Sequence, residues 1–297
     1  MKPNARLSVA VLGAGLIGVD LAAKVMRSDS LDLDLVVGRD SATPGLRQAA
    51  RLGARTATDG IRSLLDAERP FDVTFDATNA LDHAEHAELL EPLGTLLIDL
   101  TPSKMGAMVV PTVNGGQALA SRDVSMVTCG GQASIPILHA IARRHRIDYV
   151  EVVTTAASPS VGHSTRLNID EYVETTQDAV RDFTGVKDVK AILNLSPARP
   201  PAKFRVAMSL LGEDLTTESV RPLVTQAAAG IRAFVGGYDV TACTVNDGRA
   251  FIAVEVTAGG GHVPAYAGNI DIINSAALHV AEQYAAGHLS IASAETS

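Results

Sequence analysis

The chain contains no tryptophan, aromatic residues make up only 4% of it, and there are two cysteines in 297 residues. So few flat rings exclude a stacking platform for bases or sugars. Cys129 and Cys243 cannot build a disulfide framework, and neither sits in a Cys-x-x-Cys or Cys/His cluster, so no metal site is expected. Basic residues are the minority charge, 25 Lys and Arg against 33 Asp and Glu, for a net charge of -8. Phosphate backbones and anionic lipids require the opposite balance, which argues against nucleic acid and membrane surfaces as partners. No apolar run approaches the roughly eighteen residues of a membrane span. The first residues run directly into a strand-like segment rather than a cleavable signal, and a cytoplasmic location is expected. What remains is a globular composition, 46% hydrophobic and 20% charged, at a length where one core usually gives way to two domains.

Leu7 to Leu12 is a short apolar run that enters Gly13-Ala14-Gly15-Leu16-Ile17-Gly18 before a helical segment reaching Met26. Strand, glycine turn and helix in that order give the spacing a mechanism. Gly13 permits the turn, Gly15 lets the backbone approach a pyrophosphate, and Gly18 lets helix and strand pack closely. The helix N-terminus then offers free N–H groups to the phosphates. A second strand, Leu31 to Val37, ends at Gly38-Arg39-Asp40, where a ribose-binding acid is expected. Asp40 as a 2′-hydroxyl ligand favours NAD; Arg39 as a 2′-phosphate ligand would favour NADP. Strand-like Asp72 to Ala77, a helix around His83 to Leu90 and strand-like Thr95 to Leu100 continue the alternation, which predicts a doubly wound parallel sheet of the Rossmann type. His83 and His86, three apart and flanked by Glu85 and Glu88, are expected on the solvated face of that helix.

Cys129 follows a β-like run, Ser125 to Thr128, and precedes a helical pattern from Gln132 to Arg143, with Pro136 expected in the first turn. A thiol at a helix N-terminus is acidified by the dipole, and the flanking Gly130-Gly131 should leave its sulfur uncrowded and a backbone N–H free for an oxyanion. Cys129 therefore reads as a nucleophile. Cys243, in a strand-like stretch from Asp239 to Val245, reads as a structural thiol.

Five blocks carry a resemblance: Leu97-Ile98-Asp99-Leu100-Thr101-Pro102, Met126 to Ala133, Thr165 to Glu171, Glu174-Thr175-Thr176, and Pro264-Ala265-Tyr266-Ala267-Gly268-Asn269. They resemble the acylating (CoA-dependent) acetaldehyde dehydrogenases, which partner a 4-hydroxy-2-oxovalerate aldolase. The resemblance covers nearly the whole chain. It implies an α/β architecture like that of glyceraldehyde-3-phosphate dehydrogenase: a Rossmann domain over residues 1–128, completed by a C-terminal helix over 269–297, and an α+β catalytic and dimerisation domain over 129–268. Tyr149 to Thr154, Ala191 to Leu195, Phe204 to Leu210, Tyr238 to Val245 and Phe251 to Val256 are strand-like in agreement. It further implies that Cys129 carries an acyl thioester, that Ala14, Gly15, Leu16 and Ile17 lie under the cofactor phosphates, and that coenzyme A is the co-substrate. The loop Ser160-Val161-Gly162-His163-Ser164-Thr165-Arg166-Leu167-Asn168, with Asn269, would contact the nicotinamide half. Asn168 also reads as a helix cap in a box with Glu171, and Asn269 as a cap of the last helix.

The chain departs from the family in three places. Where the family carries an Asp that acts as base or thiol activator, this chain reads Pro200-Pro201-Ala202-Lys203-Phe204-Arg205-Val206. In the nicotinamide loop, Gly162-His163-Ser164 replaces a glycine-proline-glycine stretch and places an imidazole near the site. Only Asn246-Asp247-Gly248-Arg249 joins two strands where the family has a longer segment. His163, with His262 as second candidate, is the expected replacement base. The leading expectation is an NAD-dependent, CoA-acylating aldehyde dehydrogenase, dimeric, for which the substrate need not be acetaldehyde. Two alternatives stand beside it: a weakened NAD-binding paralogue serving as structural partner of an aldolase, and an NAD(P)-dependent reductase without a covalent intermediate.

Overall fold

The computed structural model describes residues 6–116, 120–259 and 261–295. The chain forms two compact units, residues 1–126 with 274–297, and residues 127–273. In the first, β1 (Leu7–Leu12), α1 (Leu16–Val25), β2 (Leu31–Val37), α2 (Pro44–Arg51), β3 (Thr56–Ala57), α3 (Arg62–Leu65), β4 (Val73–Asp76), α4 (Ala80–Leu90), β5 (Leu96–Asp99), β6 (Ala107–Met108), α5 (Pro111–Asn114) and β7 (Asp123–Ser125) follow one another. Their seven strands lie in the order β3-β2-β1-β4-β5-β7-β6, all parallel. Parallel neighbours need crossovers, and helices supply most of them. The strand order reverses beside β1, at the crevice where such sheets take their ligands.

β1 is almost continuously apolar and β4 is buried along its whole length, because both faces of the sheet are covered there. Val9, Val11, Val73 and Phe75 are fully buried. At Gly13 and Gly18 the turn after β1 has room for glycine only. Gly13 has φ of 108°, and a Cβ on Gly18 would lie 1.8 Å from the Gly13 carbonyl oxygen.

One expectation is overturned here. His83 is fully buried and His86 nearly so, not on a solvated face. Both Nδ1 atoms meet the same oxygen of Asp76 at the end of β4, His83 at 2.9 Å and His86 at 2.8 Å. His83 also lies 3.6 Å from Asp99 Oδ1 on the neighbouring strand and, through Nε2, 3.4 Å from Asp123 Oδ1. The physical reason is register. Asp76 pairs with Asp99 across two buried parallel strands, and the resulting negative charge draws the inner face of α4 onto it. Asp76, His83 and Asp99 each bring a ligand atom within 4.8 Å of the others, a donor set that a divalent cation could also use.

The second unit contains α6 (Cys129–Ala142), β8 (Ile147–Ala157), α7 (His163–Leu167), α8 (Ile169–Thr184), β9 (Asp188–Ser196), β10 (Phe204–Gly212), α9 (Thr217–Arg232), β11 (Tyr238–Asn246), β12 (Arg249–Val256) and the start of α10 (Gly268–Glu295). Its sheet runs β11-β12-β10-β8-β9, antiparallel except for the parallel pair β8 and β9. Helices α6, α8 and α9 pack together on this sheet. The rest of α10 belongs to the first unit, where Asn274 Nδ2 donates to the Ile17 carbonyl at 3.0 Å and to Asp20 at 2.9 Å. Helix α6 begins three residues earlier than expected, because the Thr128 side chain caps it by accepting the Gly131 N–H at 2.9 Å. Pro136 is consequently inside the helix rather than in its first turn.

Candidate active site

Cys129 is the first residue of α6 and is partly exposed. The chain reaches it through Val127, whose φ of 61° is unusual for a β-branched residue and marks a strained entry worth about 1–3 kcal/mol. The Cys129 Sγ lies 3.4 Å from the hydroxyl of Tyr172 on α8, and the Gly130 N–H donates to that same hydroxyl at 3.0 Å. The N–H expected to be free is thus occupied. Gly130 is needed for a different reason than expected: a Cβ there would lie 2.3 Å from Thr154 Oγ1 and 2.6 Å from the Tyr172 hydroxyl.

Tyr172 is fixed by hydroxyl contacts between the two helices. Thr176 Oγ1 donates to the Tyr172 carbonyl at 2.8 Å and lies 2.8 Å from Thr128 Oγ1 at the start of α6. Burial pushes the Cys129 thiol up to about 11, against the hydrogen bonds of Tyr172 and the Gly130 and Cys129 N–H groups, which pull it down. The expected acidification by the helix end is therefore outweighed in this state of the protein.

Val206 is fully buried on β10 and pairs across the sheet with Thr154, so no titratable side chain stands at that position. The charged residues before it turn elsewhere: Lys203 Nζ and Arg205 Nε both donate to Glu255, at 2.5 and 2.9 Å. His163 opens α7, which packs against α8, and His262 lies in a bend; neither imidazole is hydrogen-bonded to Cys129. Cys243 is half-buried on β11, where burial raises its thiol.

The segment from Ser160 to Asn168 contains a short helix, α7, rather than an open loop. Asn168 precedes α8, yet its side chain makes no capping bond, so the box with Glu171 does not form. Asn269 lies within α10 and donates to the Ser160 carbonyl at 2.9 Å instead of capping a helix. The amide oxygens of Asn168 and Asn269 are both buried without a partner. Such orphaned acceptors suit a ligand that brings N–H donors. In the first unit, a Cβ on Gly15 would meet nothing within 4 Å, leaving open space over the start of α1. Asp40 Oδ1 accepts the Ala42 N–H at 2.7 Å, which orders the turn after β2 around it.

Over 279 residues the chain is 53% identical to an acetaldehyde dehydrogenase of Streptomyces griseus, across 94% of this chain and 90% of that protein. It belongs to the acetaldehyde dehydrogenase family. An acetaldehyde dehydrogenase of Pectobacterium atrosepticum is 41% identical over 94% of this chain and 96% of its own length. The family model for the prokaryotic acetaldehyde dehydrogenase dimerisation region matches residues 129–264. Among solved structures, aspartate semialdehyde dehydrogenase II of Vibrio cholerae, in complex with ASA, superposes with a TM-score of 0.65 over 94% of this chain and 98% of that one, at 15% identity. That likeness is one of fold, and it agrees with the expected architecture of a Rossmann sheet followed by a mixed sheet. Within this acetaldehyde dehydrogenase family member, the sequence singles out Cys129 but not Tyr172, whose hydroxyl lies beside it, nor Thr154. Tyr172 was legible only as a core-facing aromatic of α8, because nothing in its spacing tells an inward ring from an inward hydroxyl.

Proposed function

We propose that the protein is a CoA-acylating aldehyde dehydrogenase dependent on a nicotinamide dinucleotide. The observation that carries this reading is the placement of Cys129 at the start of α6, partly exposed and 3.4 Å from the Tyr172 hydroxyl. Cys129 Sγ, losing its proton, forms the bond to an aldehyde carbon. After oxidation the same sulfur holds the acyl group as a thioester, which the thiol of coenzyme A displaces. A bound dinucleotide would supply the hydride acceptor. His163 is our candidate to take the thiol proton. The inactive-partner reading rests on Val206 alone, and the presence of Cys129 with its whole surrounding block speaks against it.

The residues present fit such a cofactor. Ala14, Gly15, Leu16 and Ile17 form the open turn at the start of α1, whose first N–H groups suit phosphate oxygens. Asn168 and Asn269 offer unpaired amide oxygens, acceptors suited to a carboxamide. We assign NAD rather than NADP on Asp40 at the end of β2. Gly15→Val tests the assignment, since its side chain would fill ligand space without striking protein. The variant should fold and lose at least about tenfold in dinucleotide affinity. Fluorescence titration with NADH and NADPH reads both points: unchanged binding removes the glycine turn from the site, and tighter NADPH binding transfers the specificity to Arg39.

A homodimer formed through the second unit belongs to the same proposal, supported by the dimerisation-region match and by Phe251 and Leu211, which remain exposed on β12 and β10. Light scattering at micromolar concentration should give about twice 30.9 kDa. A mass of one chain would count against it. Association with an aldolase of the 4-hydroxy-2-oxovalerate type, as a source or sink of the aldehyde, rests on the family resemblance. Among the described residues no helix is long and apolar enough to cross a membrane. A cytoplasmic setting for the reaction is part of this reading.

A further inference from the structure

We infer that the Tyr172 hydroxyl is a catalytic group of this chain: a neutral donor that relays the pull of the α6 N-terminus to Cys129 Sγ and holds negative charge there. The inference rests on the reading of Cys129 as nucleophile and assigns the group that makes the thiolate accessible in a chain with valine at position 206.

A phenol carries one hydrogen and accepts through its oxygen. In this structure the oxygen receives the Gly130 N–H at 3.0 Å, and a hydrogen bond with the Thr154 hydroxyl favours charge on it. With the Gly130 N–H on the oxygen, we place its own hydrogen toward Sγ, 3.4 Å away. The series N–H to O–H to S is cooperative, each bond polarising the next. Burial and the proximity of Cys129 raise the Tyr172 hydroxyl well above its ordinary value, so it stays protonated and does not compete as a base. It stabilises what proton loss leaves behind; the proton itself passes to a separate acceptor.

Among the described residues no charged group is hydrogen-bonded to Cys129 Sγ. The groups acting on the thiol are the Tyr172 hydroxyl and the backbone N–H groups of Gly130 and Cys129, with no carboxylate, imidazole or ammonium among them. Val206 contributes only an apolar wall next to Thr154. Gly130 keeps both hydroxyls in place, since any larger residue would displace Thr154 or Tyr172. Thr128 and Thr176 tie α6 to α8 at the same level, so the donor cannot drift from the sulfur without breaking buried bonds.

Iodoacetamide labelling of Cys129, followed by peptide mass in the full chain from about pH 6 to pH 10, tests this without needing turnover. Tyr172→Phe keeps the ring and removes the donor. Its labelling profile should be displaced by about one pH unit toward alkaline pH, with labelling at neutral pH slowed about tenfold. Turnover should fall about tenfold to a hundredfold at unchanged dinucleotide affinity. Thr154→Val should displace the profile the same way by less, and it decides the matter if Tyr172→Phe fails to fold. Unchanged labelling profiles would reduce Tyr172 to packing and overturn the proposal. Full turnover in Cys129→Ser would instead remove the thioester reading, an outcome the labelling arm distinguishes because it reads the thiol directly.

Discussion

Cys129→Ser should lower aldehyde oxidation by about a thousandfold or more while leaving dinucleotide affinity within about twofold. A serine hydroxyl at the same helix start is far less acidic than a thiol. It also makes an ester, a poorer partner for exchange with a second thiol than a thioester. The substitution introduces no clash, since the oxygen is smaller than sulfur and the site is partly exposed. The effect should therefore appear in kcat with little change in KM. Cys243→Ser, on the half-buried strand β11, is the control and should retain parent activity. Intact mass after incubation with a panel of acyl-CoAs should show an acyl adduct on the parent and none on Cys129→Ala, and the mass of the adduct names the acyl chain. Comparable turnover in Cys129→Ser and the parent ends the covalent scheme.

The largest effect on stability should come from His83→Leu, at about 3–5 kcal/mol. His83 is fully buried between Asp76, Asp99 and Asp123. Burial opposes charge on the ring, yet Asp123, Asp76 and Asp99 together outweigh it and push His83 up to about 10. Burial, with the charge of Asp76, also pushes Asp99 up to about 7, although His83 pulls it down. Burial likewise opposes charge on Asp76, but hydrogen bonds from both histidines hold it well below the usual carboxylate range. Leucine fills the imidazole's space and leaves the carboxylates without their cation.

Linkage fixes the direction of the pH dependence. A histidine raised on folding contributes fully below its unfolded value of about 6.5 and loses that contribution as pH rises toward 10. A carboxyl raised on folding contributes only while protonated, so Asp99 adds a loss between about 3.8 and 7. Asp76, lowered on folding, acts oppositely and costs stability only under acid conditions. Urea unfolding followed by circular dichroism should show the parent weakening from about pH 7 to pH 10, and His83→Leu already weak at pH 7. A parent whose stability is constant from pH 7 to pH 10 would show that His83 is neutral.

The two environments explain what was legible in the sequence. Strands β1 and β2 were readable residue by residue, because Leu7 to Leu12 is a nearly continuous apolar run, Leu31 to Val37 alternates apolar and acidic residues, and each ends at a glycine. Cys129 stood out through its neighbours, since a thiol before two glycines at a helix start has a local signature. The histidines of α4 did not. His83-x-x-His86 among glutamates has the periodicity of a solvated face, and only the register of Asp76 against Asp99, roughly 80 Å of extended chain apart, turns that face inward. Tyr172 is silent for a related reason: its ring belongs to the apolar stripe of α8, while its function lies in one oxygen whose partner is on another helix. The caps expected from Asn168 and Asn269 failed because a side-chain amide near a helix start satisfies the pattern whether or not it turns back on its own backbone.

The parallel pairing of β8 with β9 has a kinetic consequence. Two parallel neighbours cannot be joined by a hairpin, so the chain must travel out and back between them, and α7 and α8 are that excursion. Cys129 and its glycines are in place as soon as α6 forms, a local event, whereas the Tyr172 hydroxyl arrives only when the excursion closes and β9 docks. Contacts that close long loops form late. During synthesis and refolding the thiol therefore passes through an interval in which it is uncovered and unassisted, and the chemistry of the sulfur becomes a clock for the completion of the topology.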